Sequence, residues 1–150
     1  MTEHINKLAD LKDFLKDTPS IVFQSYDENH FETDDGAEYL VLTDEEADKA
    51  TRDEIEGLLW AFKADFILKQ TGFSDKLSSG EWTAMKAALE EMQNKTCESC
   101  NEFIKGLING TCGLDEFVKE AIKADGRGHF LSSYDGHEWQ QGDCYIYRTN

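Results

Sequence analysis

The chain has 150 residues, 39% of them hydrophobic and 11% aromatic, and carries 31 Asp and Glu against 15 Lys and Arg for a net charge of −16. This is the length of one ordinary domain with enough large apolar side chains to close a core, so we expect a single acidic globular domain over residues 1–150. Direct binding to a nucleic-acid backbone or an anionic membrane is excluded by the charge, since both would repel the chain.

No run of about 18 apolar residues is present, and residues 1–20 alternate Lys and Asp with Leu instead of forming an export signal. Cys97, Cys100, Cys112 and Cys144, in a chain without such a signal, point to reduced cytoplasmic thiols or a metal site instead of a disulfide framework.

In chain order, Ile5, Leu8, Leu11, Phe14 and Leu15 keep helical spacing, and Thr18 and Pro19 end that helix. Two β-rich stretches, Ile21 to Tyr26 and Tyr39 to Leu42, flank an acidic connection closed by Asp35 and Gly36, which predicts a hairpin. Thr43 and Glu46 form a capping pattern, and Ile55, Leu58, Leu59, Phe62 and Phe66 continue in helical register to a stop at Gly72. That is expected to be the longest helix. Trp82, Met85, Leu89 and Met92 begin another, which restarts through Phe103, Ile104, Leu107 and Ile108. A shorter helix covers roughly Leu114 to Ala124, and the last 26 residues, from Asp125 on, read as a small β-meander turning at Asp135 and Gly136. The expected fold is α+β, a small antiparallel sheet packed against a cluster of four to five helices.

The charge is not evenly spread. From Asp17 to Asp48, a span of 32 residues, there are eleven acidic residues and no Lys or Arg. Asp44, Glu45 and Glu46 complement a helix N-terminus, and Glu45 with Lys49 and Asp48 with Arg52 have i,i+4 spacing for surface pairs. The acids from Asp27 to Glu38 have no local basic partner, so their repulsion is relieved only by solvent, a metal or a basic protein. A compact chain of this length is about 38 Å wide, roughly one net charge per 2.4 Å, against about 1.7 Å for duplex DNA. Such a domain can compete for a DNA-binding groove.

Cys97-Glu-Ser-Cys100 is a CxxC with Cys112 and Cys144 further on, enough thiolates for zinc but without the paired spacing of a zinc ribbon. Within a helical pattern the two cysteines bury on one face, and the helical stretch Leu89 to Lys95 before them argues against redox catalysis. An EF-hand fails because Gly36 at its sixth position puts Phe31 and Leu42 where carboxylates belong. His129 and His137 flank Ser132-Ser133-Tyr134-Asp135 and, with Asp135, Glu138 and Arg127, could form an acid-base cluster, but nothing fixes a nucleophile, and the favoured reading is structural, with Asp135 and Gly136 as the turn, Arg127 paired with a carboxylate and the histidines on the strand surface. With no phosphate-binding or nucleophile-elbow motif, no catalytic residue is assigned.

The stretches EYLVLTDEEAD at 38–48, LLWAFKADFI at 58–67, EEMQNKTCESCN at 90–101, DGRGHFLSSYDG at 125–136 and CYIYRTN at 144–150 resemble a family of small acidic bacteriophage and prophage proteins. The resemblance brings no catalytic residues. It implies a viral accessory role in the bacterial host cytoplasm, where such proteins often act on host machinery as anti-restriction or anti-CRISPR factors. The expected function is therefore inhibition of a host defence protein with a basic nucleic-acid-binding groove. Asp27, Glu28, Glu32, Asp34, Asp35, Glu38, Asp44 and Glu46 would form the DNA-mimicking surface. Two alternatives stand beside it. One is a protein-binding module anchored by Tyr134, Trp139, Tyr145 and Tyr147, and the other a small domain stabilised by zinc on the four cysteines.

Overall fold

The computed structural model describes residues 6–17, 22–25 and 27–150. Ile5, Thr18, Pro19, Ile21 and Tyr26, which figure in the expected first helix and strand, lie outside the described residues. The architecture is α+β, as the element pattern predicts, and the chain forms two compact units, one of residues 1–51 and 125–150, the other of residues 52–124.

The first unit is built on a five-stranded antiparallel sheet of β1 (Val22–Gln24), β2 (His30–Thr33), β3 (Glu38–Leu42), β4 (Trp139–Gln141) and β5 (Cys144–Arg148), in the order β1-β2-β3-β5-β4. The C-terminal hairpin thus completes the N-terminal sheet. One face holds Phe31, Tyr39, Val41, Cys144 and Ile146 against Leu11 and Leu15 of helix α1 (Lys7–Phe14) and its C-cap. On the other face Leu42 and Tyr147 pack with Ala47 of α2 (Asp44–Gly57), and Leu131 of α7 (Arg127–Leu131) joins them. Because β3 and β5 are covered on both sides, they read as unbroken apolar runs, YLVL and CYIY, whereas β2 alternates buried Phe31 and Thr33 with His30 and Glu32. The acidic connection of the sequence reading is therefore not one loop. Strand β2 occupies its middle, and the tight turn at Asp34–Gly36, with Gly36 at φ 91, joins β2 to β3.

Residues 127–131 form a helix where a strand was expected. Gly128 is the reason that helix can sit where it does: a Cβ there would lie 2.5 Å from the Gly136 carbonyl oxygen and 2.7 Å from the His137 carbonyl carbon. Arg127, at its start, has a side chain only 10% exposed. Its guanidinium grips Glu138 through Nε (2.8 Å) and Nη2 (3.2 Å), reaches Asp44 (2.9 Å) and Asp48 (3.0 Å) through Nη1, and lies 4.6 Å from the centre of the Tyr145 ring. Burial works against that charge, but the hydrogen bonds it donates to Glu138 and Asp44 outweigh it and raise the Arg127 pKa. Glu138 also accepts the hydroxyl of Tyr147, whose own pKa burial pushes well up.

In the second unit the expected long helix is interrupted. It ends with α2, passes a single 3-10 turn at Leu59–Ala61 and resumes as α3 (Ala64–Gln70), with Gly72 at φ 83 as the stop. Side chains distant in sequence hold the break: Asn101 accepts from Trp60 N (3.0 Å) and donates to Glu56 O (2.9 Å), while Gln93 donates to the carbonyls of Trp60 (3.0 Å) and Phe62 (2.6 Å). The longest helix is instead α4 (Ser79–Thr96), opened by a capping box between Ser78 and Glu81. After a 3-10 turn at Cys97–Cys100 come α5 (Asn101–Asn109) and α6 (Leu114–Asp125). Phe62, Phe66 and Phe117 pack ring to ring at 5.2 to 5.6 Å, beside buried Ile55, Leu59, Ile67, Ile104 and Ile108. Arg52 pairs with Asp115 and not with Asp48, which Arg127 has taken.

Candidate partner-binding surface

Of the eight carboxylates singled out from the sequence, Asp27, Asp44 and Glu46 meet the basic side chains of His30, Arg127 and Lys7. Asp27 caps the β1–β2 turn, accepting from the amides of Asn29 (2.8 Å) and His30 (2.9 Å) and meeting His30 Nδ1 at 2.7 Å. The imidazole contact in particular holds its carboxyl below the usual carboxylate range. Asp44 belongs to Arg127, and Glu46 bonds Lys7 at 2.7 Å and the Thr43 hydroxyl at 3.0 Å. Lys7 also donates to Asn29, tying α1 to the β1–β2 turn.

The other five, Glu28, Glu32, Asp34, Asp35 and Glu38, ride on the β1–β2–β3 arm. Asp35 is fixed by the turn: the Thr33 hydroxyl donates to it, as does the Ala37 amide at 3.4 Å, and these bonds hold its carboxyl low and charged. Register places Phe23 opposite Glu32 and Glu32 opposite Glu38, so the three form one cross-strand row. They share the sheet face of Leu40 and Leu42, but α2 and α7 cover only the β3–β5 part of that face. Phe23 is 46% exposed and Glu38 is exposed, and neither Glu32 nor Glu38 has a side-chain hydrogen bond or ion pair among the described residues. Directly opposed like charges destabilise a strand pair. Unit charges at the roughly 5 Å spacing of directly opposed Cβ atoms repel by about 0.8 kcal/mol in bulk water, and by several times that once water is displaced. Phe23 is the member of this row that sequence reasoning missed; the signal was its alternation with Val22, which packs toward the core.

The aromatic residues of the C-terminal hairpin do not form one surface. Tyr147 is fully buried, Tyr145 lies beneath Arg127, and only Tyr134 (57%) and Trp139 (46%) are exposed. Trp139 packs near Phe14 and His137, at 5.9 and 5.7 Å between ring centres. Tyr134 carries the Arg148 guanidinium 3.9 Å from its ring centre, and both border a hollow that also takes in Asp35, Gly36 and Asn150. One acidic candidate and one aromatic candidate therefore share a groove. Asp135, beside it, accepts from the His137 amide (3.0 Å) and the Ser132 hydroxyl (2.9 Å), which hold its carboxyl low.

His129 contacts Phe130 and His137 contacts Trp139, and both histidines are exposed. Among the described residues no three His, Cys, Asp or Glu side chains gather where they could hold a metal ion. Cys144 is fully buried in β5, where burial and the adjacent Asp10 push its thiol up to about 12. Among the described residues no helix is long and apolar enough to cross a membrane. No family model, curated protein or solved structure matches the chain.

Proposed function

We propose that the chain is a phage-type accessory protein that binds a bacterial host protein through the latter's basic nucleic-acid groove and blocks it, in the manner of an anti-restriction or anti-CRISPR inhibitor. The observation that carries this reading is the Phe23–Glu32–Glu38 row, with two carboxylates opposed across β2 and β3, an exposed aromatic beside them and no cation among the described residues to relieve them. Directly opposed like charges cost the free protein stability. A basic partner reverses its sign, because Lys and Arg side chains between the carboxylates convert repulsion into attraction while Phe23 supplies buried apolar area. Glu28, Asp34 and Asp35 extend the same charge along the arm, and the resemblance to small acidic phage proteins supports the context of the host cytoplasm.

The test is capture of tagged protein from bacterial lysate containing defence nucleases, washed over a salt series, against the triple variant Glu28→Gln, Glu32→Gln, Glu38→Gln. A nuclease retained at low salt, released as salt rises and lost with the variant supports the reading. Equal retention by the variant rejects this surface. A second reading uses the Tyr134–Arg148 hollow as a docking groove, favoured by the exposure of Tyr134, and it predicts salt-insensitive binding lost in Tyr134→Ala.

A further inference from the structure

The CxxC does not lie inside a helix. Helix α4 ends at Thr96, Cys97 takes φ 48 and ψ −126, and the chain turns once as a 3-10 helix through Cys100 before continuing as α5. This geometry matters for the two sulfurs. Across one 3-10 turn residues i and i+3 are about 6 Å apart at Cα, inside the roughly 4.4–6.8 Å range that a disulfide spans. The Cys100 thiol already donates to the Cys97 carbonyl at 3.1 Å, whereas the Cys97 thiol points back toward the Asn94 carbonyl at 3.8 Å.

The two thiols are unequal in the way a dithiol site requires. Cys97 is exposed and Cys100 is 4% exposed, so an incoming reagent meets one and the other is shielded. A hollow of about 630 Å³, lined by Trp60, Lys63, Lys86 and Gln93 among others, adjoins Cys97 and gives a leaving group room.

We propose that Cys97 and Cys100 are a redox-active dithiol that exchanges with low-molecular-weight disulfides. The Cys97 thiolate attacks one sulfur of the disulfide RSSR, the S–S bond breaks, and RS⁻ leaves and takes up a proton. Cys100 then loses its proton to solvent and attacks Cys97 Sγ, expelling the second RS⁻ and closing the Cys97–Cys100 bond. Two electrons pass from the protein to the reagent, which ends as two RSH, and a reduced dithiol reverses the sequence. This activity is independent of the acidic surface.

Reduced full-length protein is equilibrated in buffers of graded glutathione and glutathione disulfide, quenched with an alkylating agent and mapped by peptide mass spectrometry. The proposal expects a Cys97–Cys100 crosslink in the wild type. It also expects glutathione trapped on Cys97 in both Cys100→Ser and Cys100→Ala, and no adduct on Cys100 in folded Cys97→Ser. A wild type that keeps glutathione on Cys97 without the internal bond, shows no reaction there, or reacts first at Cys100 or Cys112 overturns it. The wild-type map decides alone if the Cys100 variants fail to fold.

Discussion

Removing Arg127 tests how the acidic first unit holds together. In Arg127→Ala the two-pronged hydrogen bond to Glu138 is lost, and with Glu138 only 29% exposed its carboxylate is left partly desolvated, worth about 2 kcal/mol. Asp44 and Asp48 are 68% and 64% exposed, so their pairs add only about 0.5 kcal/mol each before salt screening. The contact with the Tyr145 ring adds a similar amount. We expect a loss of about 3.5 kcal/mol, which for a urea dependence of about 2 kcal/mol/M lowers the unfolding midpoint by about 1.8 M. Arg127→Lys keeps the charge but not the planar fork, so it should recover only part of that loss. Urea unfolding followed by circular dichroism measures both. A loss below about 1 kcal/mol for Arg127→Ala, or a Lys variant equal to wild type, would refute the reasoning.

Gly128→Ala should cost about 3 kcal/mol or more in the same assay, because its Cβ meets backbone atoms at 2.5 to 2.9 Å that no side-chain rotation can move; a neutral substitution would contradict the packing. The carboxyls of Asp27, Asp35 and Asp135 are all held below their unfolded values, so the unfolded chain binds more protons and each stabilises the fold above the unfolded pKa near 3.8. That contribution disappears as pH falls below 4 through the folded values. Thermal melts from pH 6 to 2 should therefore steepen below pH 4, less so in Asp35→Asn with Asp135→Asn. Cys144, at about 12 against an ordinary 9.0, should react with iodoacetamide at pH 8 on the order of a thousandfold more slowly than an unhindered thiol, until urea unfolds the chain. Rapid native labelling of Cys144 would show that its strand is not closed.

What could be read from the sequence was what neighbouring residues decide. The hairpin turn at Asp35–Gly36, the Thr43 cap, the stop at Gly72 and the helical stretches around Leu89, Ile104 and Phe117 all depend on contacts within a few residues. What could not be read depends on partners far along the chain. The break between α2 and α3 is held by Asn101 and Gln93, 41 and 33 residues from Trp60. Similarly, β5 adds to β3 because both are apolar on two sides, a reason for pairing that neither strand reveals alone. The acidic surface was legible as composition but not as geometry. Arg127 removes Asp44 from it across 83 residues, and only the β2–β3 register shows Glu32 facing Glu38.

The most direct test of the proposed function is competition. Labelled duplex DNA bound to a nuclease captured by this protein is titrated with wild type and with the Glu28→Gln, Glu32→Gln, Glu38→Gln variant, and fluorescence anisotropy reports the DNA released. The account predicts that wild type displaces the DNA, more weakly as salt rises, and that the variant needs at least about tenfold more protein. Simultaneous binding of DNA and wild type to the nuclease, or equal displacement by the variant, would contradict it.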